Sequence, residues 1–147
     1  MSTTPPPVTL ALLIQWFENL SPETLDQANT LYAAKARFKD PFNDVEGIAA
    51  IRNIFHHMFH QVDEPRFHVT GHFLNEQSAM VLWTFHFTPR RPLPRRPLSI
   101  EGTTHFLFDT DGKVIVHRDY WDTAGELYAK LPLIGPLVKR LLRRAQA

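Results

Sequence analysis

The sequence predicts an α+β fold, with helices first and an antiparallel meander after them. Three observations carry this. Apolar residues recur at helical spacing up to about residue 61, the period then shortens to two, and four alternating runs follow, separated by turn-like connections. The 147 residues are 44% hydrophobic and 12% aromatic, which suits one globular domain with a sizeable core.

Residues 1–8 include Pro5, Pro6 and Pro7, which cannot enter a helix interior, and are expected to form a disordered tail. A domain over 9–124 and a basic helical extension over 125–147 follow. Leu10, Leu13, Ile14 and Phe17 space a first helix over 10–20. Ser21-Pro22-Glu23 supplies a cap, a first-turn proline and early negative charge, so a second helix is expected from there to about residue 33. Residues 36–40 read as a short extended piece, because Asp40 precedes Pro41. Asp44 is positioned to cap a third helix over 45–61, whose stripe is Ile48, Ile51, Ile54, Phe55, Met58 and Phe59. Strands are expected over 66–74, 78–88, 98–108 and 113–122, joined at 75–76, 89–97 and 109–112. The chain should end in a short helix over 123–131, breaks at Pro132 and Pro136, and a basic amphipathic helix over 137–146.

The net charge of +1 is unevenly spread. Half of the 16 basic residues lie in the loop with Arg90, Arg91, Arg95 and Arg96 and in the end segment with Lys139, Arg140, Arg143 and Arg144. The body that remains is acidic, which excludes a nucleic-acid-binding face spread over the domain. The absence of cysteine excludes disulfides and thiolate chemistry. No window approaches the ~18 apolar residues of a membrane span, so a soluble, cytoplasmic protein is expected. The apolar side of the last helix, with Leu133, Ile134, Leu137, Val138, Leu141 and Leu142, is expected to dock on protein. The alternatives are a solvated end or weak contact with anionic lipid, without stable anchoring.

Residues 109–122 are the richest stretch. A turn at Asp109-Thr-Asp-Gly112 feeds a strand in which Ile115, His117, Asp119 and Trp121 alternate onto one face. An ionisable pair and an indole then project together. Asp119 can hold the His117 imidazole in one tautomer, leaving a candidate acid or base. His56 and His60 stand one helical turn apart beside His57, but no carboxylate accompanies them in a metalloprotease pattern, and no metal site is expected.

Tyr32, Phe38-Lys39-Asp40-Pro41, Gly47, Phe108-Asp109-x-Asp111-Gly112-Lys113-Val114 and Tyr120-Trp121, in this order and spacing, resemble the nuclear-transport-factor-2-like superfamily. More narrowly, the chain resembles the SnoaL-like and ketosteroid-isomerase-like branch over residues 9–124. The resemblance implies three helices packed on a strongly curved antiparallel sheet to enclose a cone that admits ligands. It places the isomerase's general-base aspartate on Asp40 and its pocket tryptophan on Trp121, with His117 and Asp119 also facing inward. Trp16 stands where the isomerase has its oxyanion-donating tyrosine, and Thr104 where it has a protonated acid. Both can donate hydrogen bonds, but neither carries a comparably acidic proton, which argues against steroid isomerisation by that route. Tyr32 matches a supporting tyrosine, whereas Phe55 replaces another. Arg118-Asp119 invites comparison with limonene-epoxide-hydrolase-like members, but alternation sends the two side chains to opposite faces.

The strand over 78–88 admits two orientations. Its periodicity alone makes Val81, Trp83, Phe85 and Phe87 the core face. The resemblance instead aims Leu82, Thr84 and His86 into the cone and leaves Trp83, Phe85 and Phe87 outside, as a surface through which a homodimer would form. The expected function is binding of a small apolar molecule. If the protein is an enzyme, cofactor-independent proton transfer or water addition by Asp40 or the His117–Asp119 pair is expected. The alternative is a non-catalytic binding or interaction module with a packed cone.

Overall fold

A computed structural model describes residues 7–147, with side chains from residue 9 onward. Most of the expected tail therefore lies outside the described residues. Pro7 and Val8, assigned to it from the sequence, begin helix α1 (Pro7–Glu18), where a proline in the first turn costs no hydrogen bond. A 3-10 turn (Pro22–Gln27) and a single α-helical turn, α2 (Ala28–Leu31), replace the continuous second helix. The chain is already extended at Tyr32, where β1 (Tyr32–Lys39) begins. Asp44 does not cap the third helix. It lies in β2 (Asp44–Glu46), its carboxylate held by Arg37 through two hydrogen bonds of 2.9 Å. Gly47, at φ 98°, precedes α3 (Ile48–Gln61) instead, a backbone conformation that favours glycine.

The remaining strands are β3 (Val62–Asn75), β4 (Ser78–Pro89), β5 (Leu98–Phe108) and β6 (Val114–Trp121). β3 starts four residues before its sequence estimate. Pro65 is tolerated because it sits in a register break between Asp63 and Arg66, beside Glu64 at φ 51°. The sheet order is β2-β1-β6-β5-β4-β3. Its neighbours are antiparallel except β1 and β6, which run parallel, so the sheet is mixed and not wholly antiparallel. The chain ends in α4 (Thr123–Glu126), a 3-10 turn (Tyr128–Lys130) and α5 (Gly135–Ala145). Among the described residues, five α-helices accompany the six strands.

The helices bury Leu10, Leu13, Trp16, Ile51 and Phe55 against Val81, Phe106, Phe108 and Val114 of the inner sheet face. A second cluster of Trp83, Phe87 and Ile100 lies farther along the same face, with Leu127 packed against it. Periodicity is thus the correct guide to β4. Trp83 and Phe87 are buried and Phe85 is half-buried against them, whereas Leu82 and His86 are exposed and Thr84 lies on their outward face. The apolar outer surface expected to pair two copies through Trp83, Phe85 and Phe87 is therefore not formed by those residues. The last helix rests on its own chain only at its start, where Gly135 is buried and Val138 half-buried, whereas Leu137 and Leu141 are exposed.

Gly102 explains how two indoles share one face. A β-carbon there would lie 2.4 Å from the Trp83 ring and 3.0 Å from the Trp121 β-carbon. Gly102→Ala should therefore destabilise the protein by about 1–3 kcal/mol, the cost of overpacking, as a lower midpoint in urea unfolding. An unchanged midpoint would show that Trp83 moves aside freely.

Candidate functional site

The site is built where β6, β5, β4 and β1 bring polar side chains to the inner face. Cross-strand pairing sets Thr104 opposite Asp119 and Phe106 opposite His117, while Val81 pairs with Thr104. A register break between Leu107 and Phe108 decides which β6 residues face inward. Val114 is buried before it, Ile115 is exposed, and His117 is buried after it. The simple alternation that grouped Ile115 with His117 and Asp119 is broken by this bulge.

His117 is 2% exposed and sits among aromatic rings, with Phe38 at 4.4 Å, Phe106 at 4.9 Å and Phe17 at 5.6 Å between centroids. Its two nitrogens both have partners. The Tyr32 hydroxyl donates to Nδ1 at 2.7 Å, and Nε2–H donates to Asp119 Oδ1 at 2.8 Å. The same Oδ1 accepts the Thr104 hydroxyl at 2.5 Å, and Thr104 in turn accepts Trp83 Nε1–H at 2.8 Å. This assignment of protons makes the imidazole neutral and gives every donor an acceptor. Among the described residues no buried side-chain nitrogen or oxygen lacks a partner. Asp119 Oδ2 accepts no hydrogen bond in this network, and the Asp119 side chain is 18% exposed.

Asp119 lines two spaces. One is an internal void of about 30 Å³, walled by residues including Phe17, Phe55, Phe67, Trp83, Phe106 and His117. That is room for roughly one water molecule, against the several hundred Å³ of a typical ligand pocket. The other is an open surface cleft bounded by Lys39, Asp40, Pro41, Arg118, Tyr120, Trp121 and Thr123. Phe42 leans edge-on against Trp121 beside it, with ring centroids 5.7 Å apart.

The candidate residues divide accordingly. His117, Asp119, Thr104 and Tyr32 are brought into one chain of hydrogen bonds. Trp121 lines the cleft and not the void. Asp40 lines the cleft too, but its Oδ1 accepts the backbone N–H of Phe42 and Asn43, at 2.7 and 2.6 Å, and the Asn43 side chain bonds both its oxygens. That is a turn-stabilising carboxylate whose hydrogen bonds go to Phe42 and Asn43 and not to His117. The Trp16 indole N–H donates to the Thr24 carbonyl at 2.8 Å, so it is not available as a donor to a ligand. Leu82, Thr84 and His86 are excluded from the void by facing outward, and the His86 ring bonds the Ser99 hydroxyl. The imidazole of His60 donates from Nδ1 to the carbonyl of His56. The residue that reading by resemblance missed is Trp83. Alternation along β4, taken by itself, places it inside.

A SnoaL-like domain model matches residues 13–117, and the chain belongs to the SnoaL-like domain family. No curated protein matches the sequence. Among solved structures, an NTF2-like protein of unknown function from Exiguobacterium sp. 255-15 is 16% identical with a TM-score of 0.67, covering 78% of this chain and 98% of its own. A hypothetical protein with a ketosteroid isomerase-like fold from Catenulispora acidiphila, in complex with trimethylamine, is 14% identical with a TM-score of 0.69 over 82% of this chain and 90% of its own. An LEH-like epoxide hydrolase of M. tuberculosis is 16% identical with a TM-score of 0.64, covering 95% and 92% of the two chains. These likenesses establish the NTF2-like α+β cone fold.

Tyr32→Phe would leave His117 Nδ1 buried without a donor, at a cost of about 1–3 kcal/mol in urea unfolding. The wild type should also show an alkaline dependence that the variant lacks. Burial, and then the negative charge of Asp119, push the Tyr32 phenol well above its ordinary value of 10.0. Between the ordinary and the raised value the unfolded chain loses the proton while the folded one keeps it. Stability is therefore undiminished below the ordinary value and falls above it, by about 1.4 kcal/mol per pH unit. Identical alkaline profiles for the two proteins would refute this.

Proposed function

We propose that the protein binds a small, largely apolar molecule against the cleft at the mouth of the cone and performs cofactor-independent acid–base chemistry on it, with Asp119 as the proton acceptor. One observation carries this reading. Asp119 gathers two hydrogen bonds on a single oxygen, leaves the other without a partner, and lines both the void and the cleft. A carboxylate serving only to satisfy its neighbours gains nothing by keeping a free oxygen at a mouth. The two donated bonds fix its orientation, which general-base catalysis requires.

The void favours water addition over other proton transfers. It has roughly the size of one water, and a water there can donate to Asp119 while its lone pairs remain directed elsewhere. The ligand's body would lie in the cleft against Pro41, Tyr120 and Trp121. The same void supports a second reading, a non-catalytic module, because aromatic side chains fill the space that a ligand inside the cone would need.

One assay separates the two. The wild type, Asp119→Asn and Asp40→Asn would be incubated with a panel of small apolar epoxides, esters and enolisable ketones, and turnover followed by mass spectrometry. Turnover of at least one class is expected, falling about 100-fold or more in Asp119→Asn and little in Asp40→Asn. Equal turnover in Asp119→Asn would end the acid–base assignment. No turnover, with no co-purified molecule in native mass spectra, would favour the non-catalytic module.

A further inference from the structure

The C-terminal segment carries chemistry that the cone does not use. Between Leu127 and Ala147 there are five basic residues and no acidic one. With 3.6 residues per turn, Leu137, Val138, Leu141 and Leu142 fall on one side of α5, while Lys139, Arg140, Arg143 and Arg144 occupy the rest of its circumference. The apolar side faces solvent, with Leu137 58% and Leu141 57% exposed. Just ahead, Leu133 takes φ 64°, a region that leucine rarely adopts, and is 94% exposed. The turn holding it is closed by Gly135 N–H donating to the Leu131 carbonyl at 2.9 Å. The start of the helix is seated firmly: a β-carbon on Gly135 would lie 2.8 Å from the Ala129 carbonyl oxygen. A folded base thus projects an apolar stripe flanked by cations.

We infer that α5, with Leu133 and Ile134 before it, is a docking surface for an anionic lipid bilayer. It would lie in the headgroup plane, with leucines toward the acyl boundary and cations against phosphates. Charge complementarity selects this occupant. Two copies meeting through the helix would set like charges against each other. No described helix is long and apolar enough to cross a membrane, so this contact is superficial and reversible.

The test is co-sedimentation of the full chain with vesicles of phosphatidylcholine alone and of phosphatidylcholine mixed with phosphatidylglycerol. Association is expected only with the anionic vesicles and should fade as salt rises. Arg140→Gln with Arg143→Gln should lower partitioning about fivefold per charge removed. Leu137→Glu with Leu141→Glu should abolish it, with melting temperatures unchanged in both double variants because these side chains are exposed. Absence of association with either vesicle, or equal association with neutral ones, would overturn the inference. It would equally be overturned if the leucine pair left vesicle binding intact, or if the wild type ignored vesicles and that pair only turned a dimer into a monomer.

Discussion

The constraint on which the rest of this structure depends is the burial of an imidazole. His117 lies among phenylalanine rings where neither nitrogen can reach water, so each must find a partner inside the protein. One partner comes from the start of β1, through Tyr32, and the other from its own strand, through Asp119. That carboxylate is then also in need of donors, and Thr104 on the neighbouring strand supplies one, itself oriented by Trp83 from the strand beyond. Four strands are thereby tied by one chain of hydrogen bonds, and a slip of register in any of them would leave a buried group unpaired. Such a network discriminates against misaligned sheets far more strongly than the apolar contacts around it, which tolerate exchange of one hydrophobic neighbour for another.

The same constraint accounts for what was legible in the sequence. The elements follow from hydrophobic period, and β5 coincides with its expected span because nothing interrupts its alternation before Phe108. Errors arise where a local signal is overruled by a distant contact. Tyr32 reads as the end of a helix but is drawn into β1, where it pairs with Val114 and bonds His117. Asp44 reads as a cap but serves β2 and Arg37. Ile115 alternates with His117 on paper, yet the break opposite Leu107 and Phe108 reverses it. No spacing within β6 announces that bulge, because its cause lies in how two strands meet.

The site was legible to a different degree. That His117 and Asp119 would meet follows from their separation by two residues on a strand, and the geometry agrees. Asp40 shows the opposite case, since an aspartate before proline is a turn former first, and here the adjacent amides claim it. The orientation of β4 shows how family resemblance can mislead where elementary periodicity does not. Turning Trp83, Phe85 and Phe87 outward would expose three large aromatic side chains, and facing inward puts Trp83 on the wall of the narrow void. Gly102 records that choice in the sequence, as the one residue able to sit beneath the Trp83 ring.

The proton arrangement also limits what the network can do. The Tyr32 hydroxyl is 0% exposed and bonds His117 Nδ1, so turning it away would leave both groups unpaired. The lost bond would cost about 1–3 kcal/mol. Asp119 Oδ2 takes no part in this chain. His117, Thr104, Tyr32 and Trp83 therefore hold the carboxylate in place through Oδ1 alone. The buried chain of hydrogen bonds acts as a brace for one carboxylate, and the oxygen that the brace leaves free is the one on which the proposed acid–base role rests.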